Sequence, residues 1–106
     1  MSNSNPFTEP FTINGLAQSV AADFGIPIEV LLGRERGFEA ARARSIIAQF
    51  CKDRGMSSTQ IGKRLGRDHA TVLYSWKQFP MYLQYYPLVR VSYEKHCILR
   101  RIAGES

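Results

Sequence analysis

The stretch Ser57–Trp76, SSTQIGKRLGRDHATVLYSW, decides how this chain folds. Ser57 followed by Gln60 is the pattern of a capping box, in which the two side chains bond reciprocally to backbone N–H groups at a helix start. Gly66 suits the left-handed residue that ends a helix, and Asp68 is a favoured cap for the start of the next one. The stretch therefore predicts two short helices joined by a tight glycine-containing turn, which is the helix-turn-helix arrangement.

Apolar residues recur at helical spacing before this motif as well. Thr12 and Gly25 suit the two ends of a first helix, and Pro27 suits the first turn of a short second one. A third helix is expected over residues 38–54, with a core stripe of Ala43, Ile46, Ile47, Phe50 and Cys51. No segment alternates with the period of two that a half-buried strand shows. We therefore expect an all-α fold of about six helices.

The segment after the motif predicts two further features. Pro80 is expected to end the second helix of the motif, whose inward face is formed by Val72, Leu73, Trp76 and Phe79. A last helix follows Pro87, and its expected core stripe is Leu88, Val91, Ile98, Leu99 and Ile102. Tyr82, Tyr85 and Tyr86 lie between the two helices. They either pack on the core of the domain or form a surface for a partner protein.

Length and composition indicate one domain. With 106 residues, 44% of them hydrophobic and 22% charged, the chain can bury a core without a metal or disulfide. We expect a flexible segment over residues 1–11 and one domain over 12–106, with the helix-turn-helix at about 57–79 and a C-terminal extension at about 80–106. Cys51 and Cys97 are expected to be free core thiols rather than a disulfide. The absence of a membrane span or signal peptide predicts a cytoplasmic protein.

Charge is distributed unevenly along the chain, whose net charge is +5. Residues 1–33 contain no lysine or arginine, whereas ten of the 14 lie within residues 34–77. A segment this basic is typical of a protein that binds a polyanion, because each neutralised phosphate releases condensed counterions. The alternative is a solvated basic face that only improves solubility.

Residues from about Ile13 to Phe79 resemble a known family, the C-terminal DNA-binding domain of DnaA, the bacterial chromosomal replication initiator. The shared parts come in the family's order: FGI…LLG, a basic loop, an ARAR helix, S…QIG, and GRDHATVL against the family's usual GRDHTTVL. The resemblance implies a Trp-repressor-like helical domain whose second motif helix enters the DNA major groove. The resemblance also implies that an arginine of the basic loop reaches into the adjacent minor groove, that double-stranded DNA is the partner, and that the protein is nucleoid-associated.

Carried over residue by residue, the resemblance places the minor-groove arginine at Arg36. The implied major-groove residues are Arg44, Asp68, His69, Ala70 and Thr71. The residues expected near phosphates, from the resemblance and from their charge or position, are Arg34, Arg42, Ser45, Lys52, Lys63, Arg64 and Arg67. The chain departs from the family at Phe38, Ser45 and Ala70, where a basic residue, a glutamine and a threonine are frequent. Its preferred DNA sequence is therefore expected either to differ from the family's or to be read less stringently.

Asp68 and His69 have a chemical reason to lie at a DNA-reading helix start. Asp68 can cap backbone N–H groups and accept a hydrogen bond from cytosine N4, and His69 can donate to or accept from a base edge. A carboxylate near phosphates weakens total attraction but discriminates between bases, which suits a reader of sequence. The alternative is that Asp68 is only a cap and His69 only an exposed first-turn residue.

Two function classes follow from these observations. The first is sequence-specific binding of double-stranded DNA of the DnaA-box type, as a regulator or competitor at replication origins or promoters. The second is an adaptor that binds replication or transcription proteins. The sequence contains no Gly-rich phosphate loop, no nucleophile motif and no metal-ligand spacing. We therefore expect no enzyme activity, no ATPase, no cofactor or metal, and no small-molecule substrate.

Overall fold

The computed structural model describes residues 12–33 and 37–102, with side chains up to residue 99. This part of the chain forms six helices and no strand, which confirms the expected all-α fold. The helices are α1 (Ile13–Phe24), α2 (Ile28–Leu32), α3 (Phe38–Asp53), α4 (Ser58–Leu65), α5 (His69–Tyr85) and α6 (Pro87–Ile102). Residues 1–11, Arg34 and Arg36 lie outside the described residues, so the expectations for them stay predictions.

The helix starts follow the capping residues that the sequence contains. The Thr12 hydroxyl accepts from the Gly15 N–H at 3.1 Å. The capping box is complete, since the Ser57 hydroxyl accepts from the Gln60 N–H at 3.1 Å and the Ser57 N–H donates to Gln60 Oε1 at 2.9 Å. Each cap satisfies N–H groups that have no partner inside the helix, so local chemistry alone accounts for where α1 and α4 begin.

Helix α3 lies at the centre of the fold and contacts every other helix. It can do so because its buried residues surround much of its circumference, and the expected core stripe is confirmed: Ala43, Ile46, Ile47, Phe50 and Cys51 are all fully buried. Helix α5 packs against α3, α4 and α6, so the helix-turn-helix is seated on α3. None of the helices in the described ranges is long and apolar enough to cross a bilayer.

The structure corrects two expectations for the C-terminal part. Helix α5 continues through Pro80 to Tyr85, because Phe79 and Tyr82 pack against the core on either side of the exposed proline and hold the helix together. Helix α6 also faces the core differently. Among its residues up to position 99, Val89, Ser92 and His96 are buried, whereas Leu88, Val91 and Ile98 are exposed and Leu99 is half-buried. The side chain of Ile102 lies outside the described part, so its expected core position stays a prediction.

Both cysteines are free thiols, as expected, with Cys51 buried and Cys97 half-buried. Burial raises the pKa of the Cys51 thiol to about 12, against a weaker lowering by Arg54 and Arg64. Since the thiolate is the reactive form, we expect a thiol reagent at pH 8 to modify Cys97 and to reach Cys51 only after denaturant is added.

The variant Cys97→Ser isolates Cys51 for this measurement, which can be followed by the release of a chromophore from an aromatic disulfide. Rapid modification of this variant without denaturant would show that α3 is not the sealed centre of the fold.

Candidate nucleic-acid interface

The turn between α4 and α5 depends on a close approach of two backbone segments. A Cβ atom on Gly62 would lie 2.5 Å from the Arg67 carbonyl oxygen and 3.3 Å from the Asp68 carbonyl carbon. The Gly62 carbonyl accepts from the N–H groups of both Gly66 and Arg67. Gly66 has the left-handed conformation that is common at helix ends, with a φ of 69°. The two glycines thus let α5 leave α4 at a tight angle.

Asp68 caps the N-terminus of α5. Its Oδ1 accepts from the Thr71 N–H and from the Thr71 hydroxyl, each at 2.9 Å. These hydrogen bonds, the backbone one first, lower the pKa of the Asp68 carboxyl, so the side chain is ionised at neutral pH. No hydrogen bond to Oδ2 forms among the described residues, and the side chain is exposed. Asp68 can therefore cap the helix with one oxygen while the other accepts from an external donor.

One face of α5 is exposed from its first residue onward. Its members share the helical spacing i, i+1, i+4, i+5 and i+8, and they are His69, Ala70, Leu73, Tyr74 and Lys77. We call this set the recognition face. Leu73 corrects the expectation of an inward position, since 46% of its surface is exposed.

Tyr74 and Lys77 were missed from the sequence, although counting helical positions from His69 would have found them. Thr71 is exposed beside the recognition face, with its hydroxyl committed to Asp68. The expected reading residues Asp68, His69, Ala70 and Thr71 are thus together at one exposed helix start.

Exposed lysine and arginine side chains lie on the helices beside the recognition face. Lys63 and Arg64 are exposed in the last turn of α4. The ammonium of Lys52, on α3, lies 4.9 Å from the ring centroid of Trp76 on α5, and the indole N–H of Trp76 donates to the Ala48 carbonyl at 3.0 Å. Trp76 is therefore a half-buried link between α5 and α3, as expected, rather than a platform for bases.

Arg44, expected in the major groove, and Arg67, expected near phosphate, each donate to a backbone carbonyl at the end of α2. Arg44 is half-buried, and its Nη1 donates to the Leu31 carbonyl at 3.0 Å. Arg67 donates from Nη2 to the Gly33 carbonyl. Burial and the neighbouring Arg67 charge lower the pKa of Arg44. Both guanidinium groups thus meet at the C-terminal end of α2.

Two further expected phosphate residues lie away from the recognition face. Ser45 is fully buried and donates to the Arg42 carbonyl at 2.6 Å, because its position on α3 faces the core, so the expectation of a phosphate contact is wrong. The Arg42 guanidinium lies 4.1 Å from the ring centroid of Tyr86. Since a helix of the length of α5 spans about 25 Å, this places Arg42 at the opposite end of α5 from His69.

The arrangement offers hydrogen-bonding groups and exposed positive charge around one helix start. Within the described ranges, no three His, Cys, Asp or Glu side chains come together as a metal site. A capped, exposed helix start seated on a basic scaffold and joined to its partner helix by a glycine turn defines a DNA-binding helix-turn-helix domain.

Comparison with known proteins gives the particular family. The sequence model of the family described as "Bacterial dnaA protein helix-turn-helix" matches residues 13–79, and the chain belongs to this family. It is similar to "Chromosomal replication initiator protein DnaA 2" of Protochlamydia amoebophila (strain UWE25), with 31% identity over 90 residues. The match covers 84% of this chain but 20% of the relative, so the chain spans about a fifth of the relative's length.

Proposed function

We propose that the chain binds double-stranded DNA sequence-specifically, at a site of the DnaA-box type, with the N-terminal end of α5 in the major groove. The observation that carries the proposal is the exposed recognition face, which starts at His69 beside the Asp68 cap. The Asp68 acceptor and the exposed side chains of His69, Ala70 and Leu73 contribute little to the packing of the domain itself. They match the pattern of donors, acceptors and methyl groups in the major groove.

Asp68 and three residues of the recognition face have base-edge partners of matching chemistry. Asp68 Oδ2 can accept from cytosine N4, and His69 can donate to guanine or adenine N7. Ala70 and Leu73 suit contact with thymine methyl groups. Lys63, Arg64 and Lys52 are proposed to contact phosphates and to set the register of the domain on the duplex. Arg34 is proposed to add a phosphate contact.

The resemblance adds a minor-groove contact from Arg36. Arg36 follows closely after α2 in the chain, and Arg67 of the helix-turn-helix donates to the Gly33 carbonyl at the end of α2. This connection between α2 and the helix-turn-helix is consistent with a contact of Arg36 next to the major-groove site. The recognition face and Arg36 together would read adjacent major and minor grooves of one site. We further propose that the chain acts as a regulator or competitor at replication origins or promoters.

The proposal is tested by binding to a duplex selected from a random library, compared with a scrambled duplex. We expect His69→Ala and Arg36→Ala each to cost about 1–3 kcal/mol of binding free energy and to relax sequence preference. Lys52→Ala should weaken binding to all duplexes alike and reduce the salt slope by about 1.

Two outcomes contradict the proposal. If all three variants bind every duplex as the unchanged chain does, the recognition face is not a DNA interface. If the unchanged chain shifts no duplex at low salt, the adaptor hypothesis is favoured instead.

A further inference from the structure

Helix α2 ends where the basic segment 34–36 begins, and two arginines from other elements hold that end. Arg44 comes from α3 and donates to the Leu31 carbonyl at 3.0 Å. Arg67 comes from the turn before α5 and donates to the Gly33 carbonyl. Leu31 and Gly33 lie in the last turn of α2 and directly after it. We call the two arginines and the two carbonyls the α2 clamp.

The two guanidinium groups of the clamp lie close together, so that Arg67 lowers the pKa of Arg44, in addition to the larger effect of burial. Each group donates to a carbonyl oxygen at the end of α2, where carbonyls have no partner within the helix. Arginine is suited to this position because its planar group directs several donors at once, whereas lysine is a single point charge.

The α2 clamp also connects three elements, namely the end of α2, helix α3 and the turn before α5. The proposed function requires their relative positions to be fixed. Arg67 directly precedes Asp68, the cap of the recognition helix. Gly33 directly precedes Arg34 in the chain. The Arg67–Gly33 hydrogen bond therefore connects the start of the major-groove helix to the point from which the minor-groove segment leaves.

We propose that Arg44 and Arg67 are positioning residues, which act through Arg36 by holding the end of α2 at a constant distance from α5. This inference rests on the proposed DNA-binding function and specifies how one domain reads two grooves at a defined spacing. The competing role is a direct DNA contact, in the major groove for Arg44 and to a phosphate for Arg67. The two roles differ in a measurable way, since a direct contact acts independently of Arg36 and a positioning residue does not.

The test is a double-mutant cycle on the full chain with its selected duplex. Arg36→Ala alone should weaken binding about tenfold. In an Arg67→Gln background, we expect the same Arg36→Ala change to weaken binding less than about twofold, because a misplaced Arg36 has already lost its contact. Arg44→Gln should behave in the same way. Discrimination between A·T and G·C pairs in the minor-groove part of the site should be lost in both backgrounds.

Lys63→Gln is the matched control, since Lys63 is exposed and is proposed to contact only phosphate. In its background, Arg36→Ala should still weaken binding about tenfold, and the salt slope should fall by about 0.9. Circular dichroism at the assay temperature shows whether each variant is folded, and Arg44→Gln replaces Arg67→Gln if the latter is unfolded.

Additive effects of Arg36→Ala in both clamp backgrounds, with a salt slope lowered as in Lys63→Gln, would overturn the positioning role and leave the proposed function intact. A chain that binds its selected and scrambled duplexes equally well would reject the proposed function and, with it, the clamp's role.

Discussion

Replacing Gly62 with alanine is expected to disrupt the helix-turn-helix. The added methyl group would lie 2.5 Å from the Arg67 carbonyl oxygen, an atom of the backbone that cannot move without shifting the start of α5. Such overpacking typically costs about 1–3 kcal/mol and sometimes more, and we expect about 3 kcal/mol here. This loss exceeds the gain of about 1 kcal/mol that alanine gives over glycine inside a helix. Urea unfolding monitored by circular dichroism measures the change.

Gly37→Ala is the control for this prediction. A Cβ on Gly37 meets nothing within 4 Å, and Gly37 has an ordinary φ of −63°. Because Gly37 is the N-cap of α3, where alanine is less favoured, we expect a loss of about 1 kcal/mol or less, well below that of Gly62→Ala. The affinity of Gly62→Ala for DNA should also fall in buffer without denaturant, where the chain is still helical, because α5 is displaced. Equal stability of the two variants would show that the turn does not require this close approach.

Replacing His96 with alanine is expected to cost about 3 kcal/mol of unfolding free energy at pH 7.5, from the cavity and from lost hydrogen bonds. His96 is fully buried. Its Nδ1 lies 2.7 Å from the Ser92 carbonyl and its Nε2 lies 2.7 Å from the Ser19 hydroxyl. Because a carbonyl can only accept, Nδ1 carries the hydrogen and Nε2 of the neutral ring accepts from Ser19.

The pH dependence provides a second readout for His96. Burial lowers the pKa of His96, although the Ser92 carbonyl and Asp23 act in the opposite direction. The unfolded chain, with a histidine pKa of about 6.5, therefore binds more protons than the folded one as pH falls. This contribution to stability is complete above pH of about 6.5 and is lost progressively below it, towards the lowered folded-state pKa.

In His96→Ala, the unfolding free energy should therefore depend less on pH between about 7 and 5 than in the unchanged chain. Ser19→Ala is the matched control, since it removes one hydrogen bond and should cost about 1 kcal/mol. Identical pH profiles for the unchanged chain and His96→Ala would contradict the assignment of His96 as a buried, neutral residue.

Local chemistry made much of the fold predictable. The capping box at Ser57 and Gln60, the Thr12 cap and the Asp68 cap each form within four residues of sequence. Such contacts do not depend on the rest of the chain, so the starts of α1, α4 and α5 followed from residue types alone. The grouping of Asp68, His69, Ala70 and Thr71 was predictable for the same reason, since neighbours at a helix start share its exposure.

Residue types along the chain were enough to predict the helices, their caps and the place of the proposed DNA-reading residues. Which face of α6 is buried depends on tertiary contacts with α1, which is distant in the chain. Ser92 donates to Asp23, and His96 is hydrogen-bonded to Ser19. The tertiary structure also decided that Arg44 and Arg67 hold α2 and that Ser45 is interior. A polar side chain is buried only when distant groups satisfy its hydrogen bonds, and such groups come together only when the chain has folded.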